Sequence, residues 1–158
     1  MNDGGKFVCF DDQDIWTDQG HCLIYSFGIS NDWTFEDQAD QLGCTIHAFD
    51  PTVEYPETRG RGIHFTRLGL ADRHMKLDEW GMGTAFTLDT ILAGNNHTNS
   101  VINYLKVDIE GWEVGALEQW LESGIKSFFI YPNRSDWKII DFREDPYQVL
   151  LDLYLTHR

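Results

Sequence analysis

Short apolar runs alternate along the chain with longer stretches of helical period, and this alternation is typical of an α/β sheet. The apolar runs that predict strands lie at residues 22–27, 45–49, 63–68, 104–109 and 127–131. The stretches that predict helices lie at residues 33–42 and 87–92, after residue 109, and at 146–156. With no internal repeat or linker between them, these elements predict a single layered α/β domain over residues 1–158.

The apolar residues of the predicted helices fall on one face at helical spacing. These residues are Phe35, Ala39 and Leu42 in the first helix and Val114, Leu117 and Leu121 in the helix after the fourth strand. Thr87 precedes the second helix at the N-cap position. Gly43 and Gly124 follow their helices where a C-terminal cap glycine belongs.

Length and charge limit what this domain can bind. A chain of 158 residues, 42% of them hydrophobic, can form one compact core and is too short for two ordinary domains. The 26 acidic and 12 basic residues give a net charge of -14 at pH 7, which would repel the phosphates of nucleic acid. A cationic or neutral small molecule suits this charge better, although the acidity is equally well explained as a means of keeping the protein in solution.

Cysteine and histidine spacing predicts neither a metal site nor thiol redox chemistry. Cys9, Cys22 and Cys44 show no C-x-x-C spacing and, as a set of three, cannot all pair within one chain. We interpret them as small buried hydrophobic residues. The 6 histidines show no metal-ligand spacing either. No apolar window of ~20 residues and no signal-peptide pattern is present, which predicts a soluble chain without membrane contact and leaves its compartment open.

In an open parallel sheet, ligands bind beyond the carboxyl ends of the strands, so the residues just after each strand are the first candidates. The first strand leads through Gly28 and Ser30 towards a helix, and such a loop directs backbone N–H groups at a ligand. The signal from Gly28 alone is weak, because a dinucleotide-binding fingerprint has three glycines and a plain tight turn explains one.

Asp50 follows the second strand and lies 50 − 28 = 22 positions after Gly28. In dinucleotide-binding folds, an acidic residue ~20 positions after the glycine loop binds the ribose hydroxyls. A solvated turn formed by Asp50 with Pro51 explains the same residue without any ligand. Spacing and strand context together favour the ribose.

An acidic cluster follows the fourth strand. Asp108, Glu110 and Glu113 lie where an apolar strand gives way to a helix, and burying carboxylates there is costly. A bound sulfonium or other cationic group would balance their charge, as would a nearby arginine, a helix N-terminus or solvent. We favour a ligand site. For Trp112, within the same run, packing beneath the adjacent helix is favoured over covering a substrate.

Two motifs in the second half of the chain resemble those of a known family. TLDTIL at residues 87–92 and YLKVDIEGWE at 104–113 resemble the T-L-D-x-[IL]-L and L-K-[IVM]-D-[IV]-E-G-x-E motifs of FkbM-like methyltransferases. The segments GGKFVCFDD, IYSFG and HAFDP are similar to the animal methyltransferase-like branch of that family. The resemblance extends over residues 4–130.

This resemblance implies a Rossmann-like class I methyltransferase with a mostly parallel sheet and S-adenosylmethionine as its cofactor. The cofactor-binding residues it implies are Ser26, Phe27, Gly28 and Ser30 at the methionine part, Asp50 at the ribose, and Gly69, Leu70 and Ala71 beside the adenine. Asp108 and Glu110 are the implied catalytic residues, because they would face the reacting centre, where a carboxylate can accept the acceptor's proton. Alignment of acceptor and methyl group would supply a large share of the rate.

The chain departs from the family pattern in two places. Ser26, Ser30 and Asp32 stand where many class I enzymes have an acid and two glycines, and the Cβ of Ser30 could restrict the loop. The resemblance fades after Phe129, and the strand pair that should complete the sheet is not visible in the sequence. A sheet without that pair has an open edge, which predicts poor solubility or a homodimer formed through the edge.

Two functions from different classes therefore remain. The first is methyl transfer from S-adenosylmethionine to an oxygen of a small molecule or glycan. The second is a catalytically inert, methyltransferase-like protein that binds the cofactor or acts by interaction. An open acceptor pocket at Asp108 and Glu110, and a loop at Gly28 that admits cofactor, distinguish the first from the second. A nicotinamide-dependent oxidoreductase would require the glycine-rich fingerprint that is missing here.

Overall fold

The computed structural model describes residues 22–77, 83–123, 129–130 and 140–141. The strands are β1 (Leu23–Phe27), β2 (Thr45–Phe49), β3 (Thr58–Arg59), β4 (Ile63–Thr66), β5 (Gly69–Leu70), β6 (Met75–Lys76), β7 (Thr84–Phe86), β8 (Tyr104–Val107), β9 (Phe129–Ile130) and β10 (Ile140–Asp141). The helices are α1 (Thr34–Gln41), α2 (Leu88–Gly94) and α3 (Glu113–Glu122). Among the described residues, no helix has the length and apolar character needed to cross a membrane. The predictions for Cys9, Gly124 and the helix at 146–156 lie outside these ranges.

The central sheet has five strands in the order β3-β4-β2-β1-β8. Four of them, β4, β2, β1 and β8, are parallel, and β3 pairs antiparallel with β4. The chain places β2 and β4 on one side of β1 and then crosses over to add β8 on the other side. The position between β1 and β8 is therefore the topological switch point of the sheet. This mixed α/β architecture is compatible with the predicted Rossmann-like fold.

Helices cover both faces of the sheet. On one face, Phe35 and Ala39 of α1 pack with buried residues of β1, β2 and β4. On the opposite face, Leu92 of α2 and Trp120 of α3 pack with residues of β1 and β8. All 5 residues of β1 are buried, as expected for a central parallel strand covered on both sides.

The predicted apolar helix faces are partly wrong. Leu42 is 54% exposed, because it is the C-cap residue of α1 and lies beyond the last turn that faces the sheet. Val114 is 50% exposed, and of the α3 side chains that the structure describes, Ala116 and Trp120, one helical turn apart, are buried. The face of α3 that packs on the sheet is thus set by the large indole of Trp120. Gly43 follows α1 with φ +89°, which confirms the predicted glycine cap.

The first four predicted strands are present, with ends that differ by at most two residues, and the described part of the fifth is the strand β9. The short strands β3, β5, β6 and β7 were not predicted, and three of them, β5, β7 and β6, form a separate small sheet. The sequence did not predict β10, which pairs antiparallel with β9 as a separate two-stranded sheet. Strands of two or three residues show no period that a sequence pattern could reveal.

Cys22 and Cys44 form a disulfide, which corrects their interpretation as separate buried hydrophobic residues. The two residues immediately precede the paired strands β1 and β2, so that their Cα atoms lie 4.5 Å apart, within the range that a disulfide spans. The bridge closes a segment with a sequence separation of 22 that contains α1. Counting three cysteines excluded complete pairing but did not exclude one pair.

Candidate active site

A cleft of about 550 Å³ opens at the carboxyl ends of β1, β2 and β8, at the switch point of the sheet. Residues 28–32 after β1 and 50–52 after β2 line one part of it. The end of β8 and the loop towards α3, from Lys106 to Trp112, line another part. Its position and volume are those of a small-molecule or cofactor site in an open α/β sheet.

Gly28 lies where the loop after β1 passes directly over the end of β8. Its φ is +79°, and a Cβ built there would lie 2.7 Å from the carbonyl carbon of Asp108 and closer still to the oxygen. The Gly28 N–H donates to the Phe49 carbonyl at 2.9 Å, and the Asp108 N–H donates to the Phe27 carbonyl at 3.0 Å. Glycine is therefore required here by a backbone crossing, in addition to any approach of a ligand.

Asp50 is 4% exposed, and both of its carboxylate oxygens are engaged by neighbouring loops. Oδ2 accepts from the backbone N–H groups of Ile29 at 2.9 Å and Ser30 at 2.7 Å. Oδ1 accepts from the N–H of Thr52 at 2.8 Å and from its hydroxyl at 2.6 Å. Burial by itself raises the pKa of Asp50, but the hydrogen bonds from Thr52, Ser30 and Ile29 outweigh it and hold the pKa below its usual value. Asp50 thus fixes the loop after β1 in this structure.

Ser30 adopts a left-handed backbone conformation, which glycine adopts more readily than serine. Its φ is +51°, in the left-handed region that costs an L-residue about 1 kcal/mol. Two contacts hold it there: its N–H donates to Asp50, and its carbonyl accepts from the Tyr55 hydroxyl at 3.0 Å. The loop is therefore shaped by contacts on both sides rather than by a second glycine.

A buried polar network lies beneath this loop. Glu36 of α1 is 0% exposed, and its Oε1 accepts from the hydroxyl of Ser26 at 2.6 Å and from Nζ of Lys106 at 3.0 Å. The same Nζ donates to the carbonyl of Gly28 at 3.2 Å. The network joins α1, β1, β8 and the Gly28 loop through one ion pair. Its electrostatic attraction must balance the cost of removing two charges from water.

Asp108 and Glu110 are exposed residues on the cleft wall, which corrects the expectation that the acidic cluster is buried. The loop that carries them is fixed by Glu113 at the start of α3. The Glu113 carboxylate accepts from the N–H groups of Ile109 and Gly111, each at 2.8 Å. Glu110 itself has φ +57°, a left-handed conformation that a non-glycine residue adopts only when its surroundings hold it.

Trp112 is also placed differently from the favoured interpretation. The indole is 42% exposed and lines the cleft instead of packing beneath α3. The large buried indole of α3 is that of Trp120, which is 0% exposed. The cleft therefore has an aromatic face beside its two exposed carboxylates.

Gly69, Leu70 and Ala71 line the apolar wall of the cleft. They belong to β5 and the residue that follows it, and the small sheet adds Met75, Leu77 and Ala85 to the same wall. Gly69 packs closely there, since a Cβ would meet that of Ala85 at 3.1 Å. Such a wall offers apolar contact to a flat ring.

The structure brings most of the predicted site residues to one cleft. Those that line it are Gly28, Ser30, Asp50, Gly69, Leu70, Ala71, Asp108 and Glu110. Ser26 and Phe27 do not line it, because both side chains are buried in the strand below, at 0% and 1% exposure. Sequence reasoning missed Lys106 and Glu36. Lys106 belongs to the motif YLKVDIEGWE, but its partner Glu36 lies 70 residues away, and no pattern in the sequence links the two.

A row of aromatic and imidazole rings lies away from the cleft. Tyr25, His47 and His64 are neighbours across β1, β2 and β4, with ring centroids 5.2 Å apart in each pair. His97 packs on His47 at 5.0 Å and shares a 2.8 Å hydrogen bond with the Tyr25 hydroxyl. Burial raises the pKa of Tyr25 to about 12, and burial together with His97 and His64 lowers the pKa of His47 to about 4. Within the described ranges, no group of three or more histidine, cysteine, aspartate or glutamate side chains converges to hold a metal ion.

Fold and cleft together define an α/β protein with a ligand site at the switch point of a parallel sheet. The model of a family described as a methyltransferase domain matches residues 1–136 of this chain. The chain therefore belongs to that methyltransferase family. No curated protein and no solved structure matches the chain.

Proposed function

We propose that this protein transfers a methyl group from S-adenosylmethionine to an oxygen of a small molecule or glycan, as a member of the FkbM-like group. The observation that carries the proposal is the cleft at the switch point, which lies within a methyltransferase domain and is lined by all but two of the predicted site residues. The acidic surface, with a net charge of -14, agrees with an acceptor other than nucleic acid.

The residues that line the cleft suit each part of this cofactor. The apolar wall around Leu70 and Ala71 suits the adenine ring, and the loop at Gly28 and Ser30 suits the methionine part. Asp108 and Glu110 supply the negative charge that a sulfonium requires nearby. Asp50 would hold the ribose, with its Oδ1 exchanging the Thr52 hydroxyl for a hydroxyl of the sugar.

When bound, the cofactor supplies an electrophilic methyl group on a positively charged sulfur. The protein's own part is to align the acceptor and to take up its proton. Asp108 and Glu110 stand exposed on the cleft wall, where either carboxylate can accept the proton that an acceptor hydroxyl releases. The exposed face of Trp112 gives a sugar ring or aromatic acceptor an apolar surface to lie on.

An inert, methyltransferase-like protein is the second candidate, and one observation favours it. The four hydrogen bonds from Ile29, Ser30 and Thr52 occupy all four lone-pair positions of the Asp50 carboxylate. A ribose must therefore displace a bond that the protein already makes. If that exchange is too costly, the cleft keeps its shape without binding the cofactor.

Titration calorimetry of the full chain with S-adenosylmethionine and S-adenosylhomocysteine separates the two candidates. We expect saturable binding of both, weakened about 10-fold in Asp50→Asn, which keeps an oxygen for the loop N–H groups but loses the charge. Thr52→Val is the matched control, because it removes the competing hydroxyl and should bind the cofactor at least as tightly as the native chain. A native chain that is folded but binds neither compound would support the inert protein.

A further inference from the structure

The ionisable side chains that line the cleft are acidic, with a single exception. Of the ionisable side chains that line it in the described part of the chain, Asp32, Asp50, Asp108 and Glu110 are acidic, and Lys106 alone is basic. The proposed cofactor carries an α-carboxylate, which these acidic side chains repel and the ammonium group of Lys106 attracts. The position of the ammonium group therefore indicates where a bound carboxylate can lie.

Lys106 is held in one position by the protein. Its side chain is 9% exposed, and its Nζ donates to Glu36 Oε1 at 3.0 Å and to the Gly28 carbonyl at 3.2 Å. The ammonium group also lies 5.7 Å from the centre of the Phe35 ring. A lysine fixed by these contacts loses little further side-chain freedom when a ligand binds.

Among the described residues, one hydrogen-bond donor of this ammonium group has no acceptor. An ammonium has three N–H groups, and within the described ranges two of them are used, on Glu36 and Gly28. Because Lys106 lines the cleft beside the Gly28 loop, the third N–H is placed to meet an acceptor that enters there. Glu36 Oε2 accepts no hydrogen bond from the described residues, so the ion pair is not a closed unit in which every group is satisfied.

We propose that Lys106 binds the α-carboxylate of the cofactor and thereby selects cofactors that retain it. Glu36 and Ser26 are positioning residues, since they hold the ammonium group at the Gly28 loop without contacting the ligand. This inference rests on the proposed function, because it assigns one polar group of the same cofactor. Binding of a carboxylate also explains why a lysine precedes the loop that carries the acidic residues Asp108 and Glu110.

The test compares S-adenosylmethionine with decarboxylated S-adenosylmethionine, which lacks only that carboxylate. Lys106→Met alone would leave Glu36 buried without its ionic partner and could prevent folding. The variants are therefore Glu36→Gln, which keeps Lys106, and the double variant Glu36→Gln/Lys106→Met, which removes both charges. Thermal unfolding verifies that each is folded before calorimetry measures the affinity for both compounds.

We expect the native chain to bind S-adenosylmethionine about 10- to 100-fold more tightly than the decarboxylated compound, as for loss of one charged hydrogen bond. Glu36→Gln should retain this preference, and the double variant should lose it, with both compounds binding within about 3-fold of each other. A preference that survives in the double variant would overturn the assignment of Lys106 while leaving cofactor binding intact. Failure of the folded native chain to bind either compound would instead overturn the proposed function.

Discussion

Gly28 meets two demands at one residue, a left-handed backbone and a contact that leaves no room for a side chain. We predict that Gly28→Ala lowers the free energy of unfolding by ~3 kcal/mol, because its Cβ would overlap the Asp108 carbonyl. Gly43→Ala is the matched control: Gly43 also has positive φ, +89°, but has nothing within 4 Å, so only about 1 kcal/mol should be lost. Urea unfolding measures both. Equal losses would show that the crossing at Asp108 is not the cause.

The same residue shows how far the sequence could predict this site. Gly28, Asp50 and Asp108 were found because each follows an apolar run, and parallel strands bring their carboxyl ends together. The buried charges were not found, since Lys106 pairs with Glu36 over 70 positions and no local pattern marks such a pair. Sequence reasoning assigned buried charge to the acidic cluster after β8 instead, where a helix start and solvent accommodate it.

The loop between β8 and α3 depends on the helix that follows it. We predict that Glu113→Ala lowers the free energy of unfolding by about 1–2 kcal/mol, because two backbone N–H groups lose their charged acceptor. Glu118→Ala, an exposed residue of the same helix, is the control for the loss of one acidic side chain and should change stability by less than about 0.5 kcal/mol. If both variants unfold at the same urea concentration, Glu113 does not hold the loop.

The disulfide connects the amino ends of the two central strands. We predict that Cys22→Ala/Cys44→Ala lowers the free energy of unfolding by about 3 kcal/mol, as expected when a closed segment with a separation of 22 is opened. A reductant should lower the stability of the native chain to a similar extent and leave the double variant unchanged. A native chain that is insensitive to reductant, with no Cys22–Cys44 cross-link in its peptide map, would contradict the bridge.

At the scale of elements, predictability follows strand length and burial. β1, β2 and β8 are largely apolar runs that end at Gly28, Asp50 and Asp108, so their existence could be predicted from pattern alone. The small sheet of β5, β7 and β6 has strands of 2 or 3 residues, and only the tertiary structure reveals that it forms the apolar wall. The position of Trp112, just before α3, likewise depends on the loop that Glu113 holds, and helical spacing does not predict it.

At the scale of the whole molecule, acidification has two opposing effects. The net charge of -14 at pH 7 produces self-repulsion that destabilises the compact state and is relieved as carboxylates take up protons. The row of rings on β1, β2 and β4 acts in the opposite direction, because it buries an imidazole that cannot easily become charged. Most carboxylates remain ionised until the pH approaches about 4, so the histidine effect comes first as the pH falls.

We therefore predict that stability decreases between about pH 6.5 and pH 4 by roughly 2 kcal/mol. In this window the unfolded chain protonates His47 at its usual pKa of 6.5, whereas the folded chain does so only near 4, so stability present above 6.5 is lost. Urea unfolding across the window measures the decrease. His47→Phe keeps a ring between Tyr25 and His64 but cannot titrate, while the relief of self-repulsion acts on both chains alike. The stability difference between the two chains should therefore change with pH, and parallel pH profiles would exclude His47 as the source.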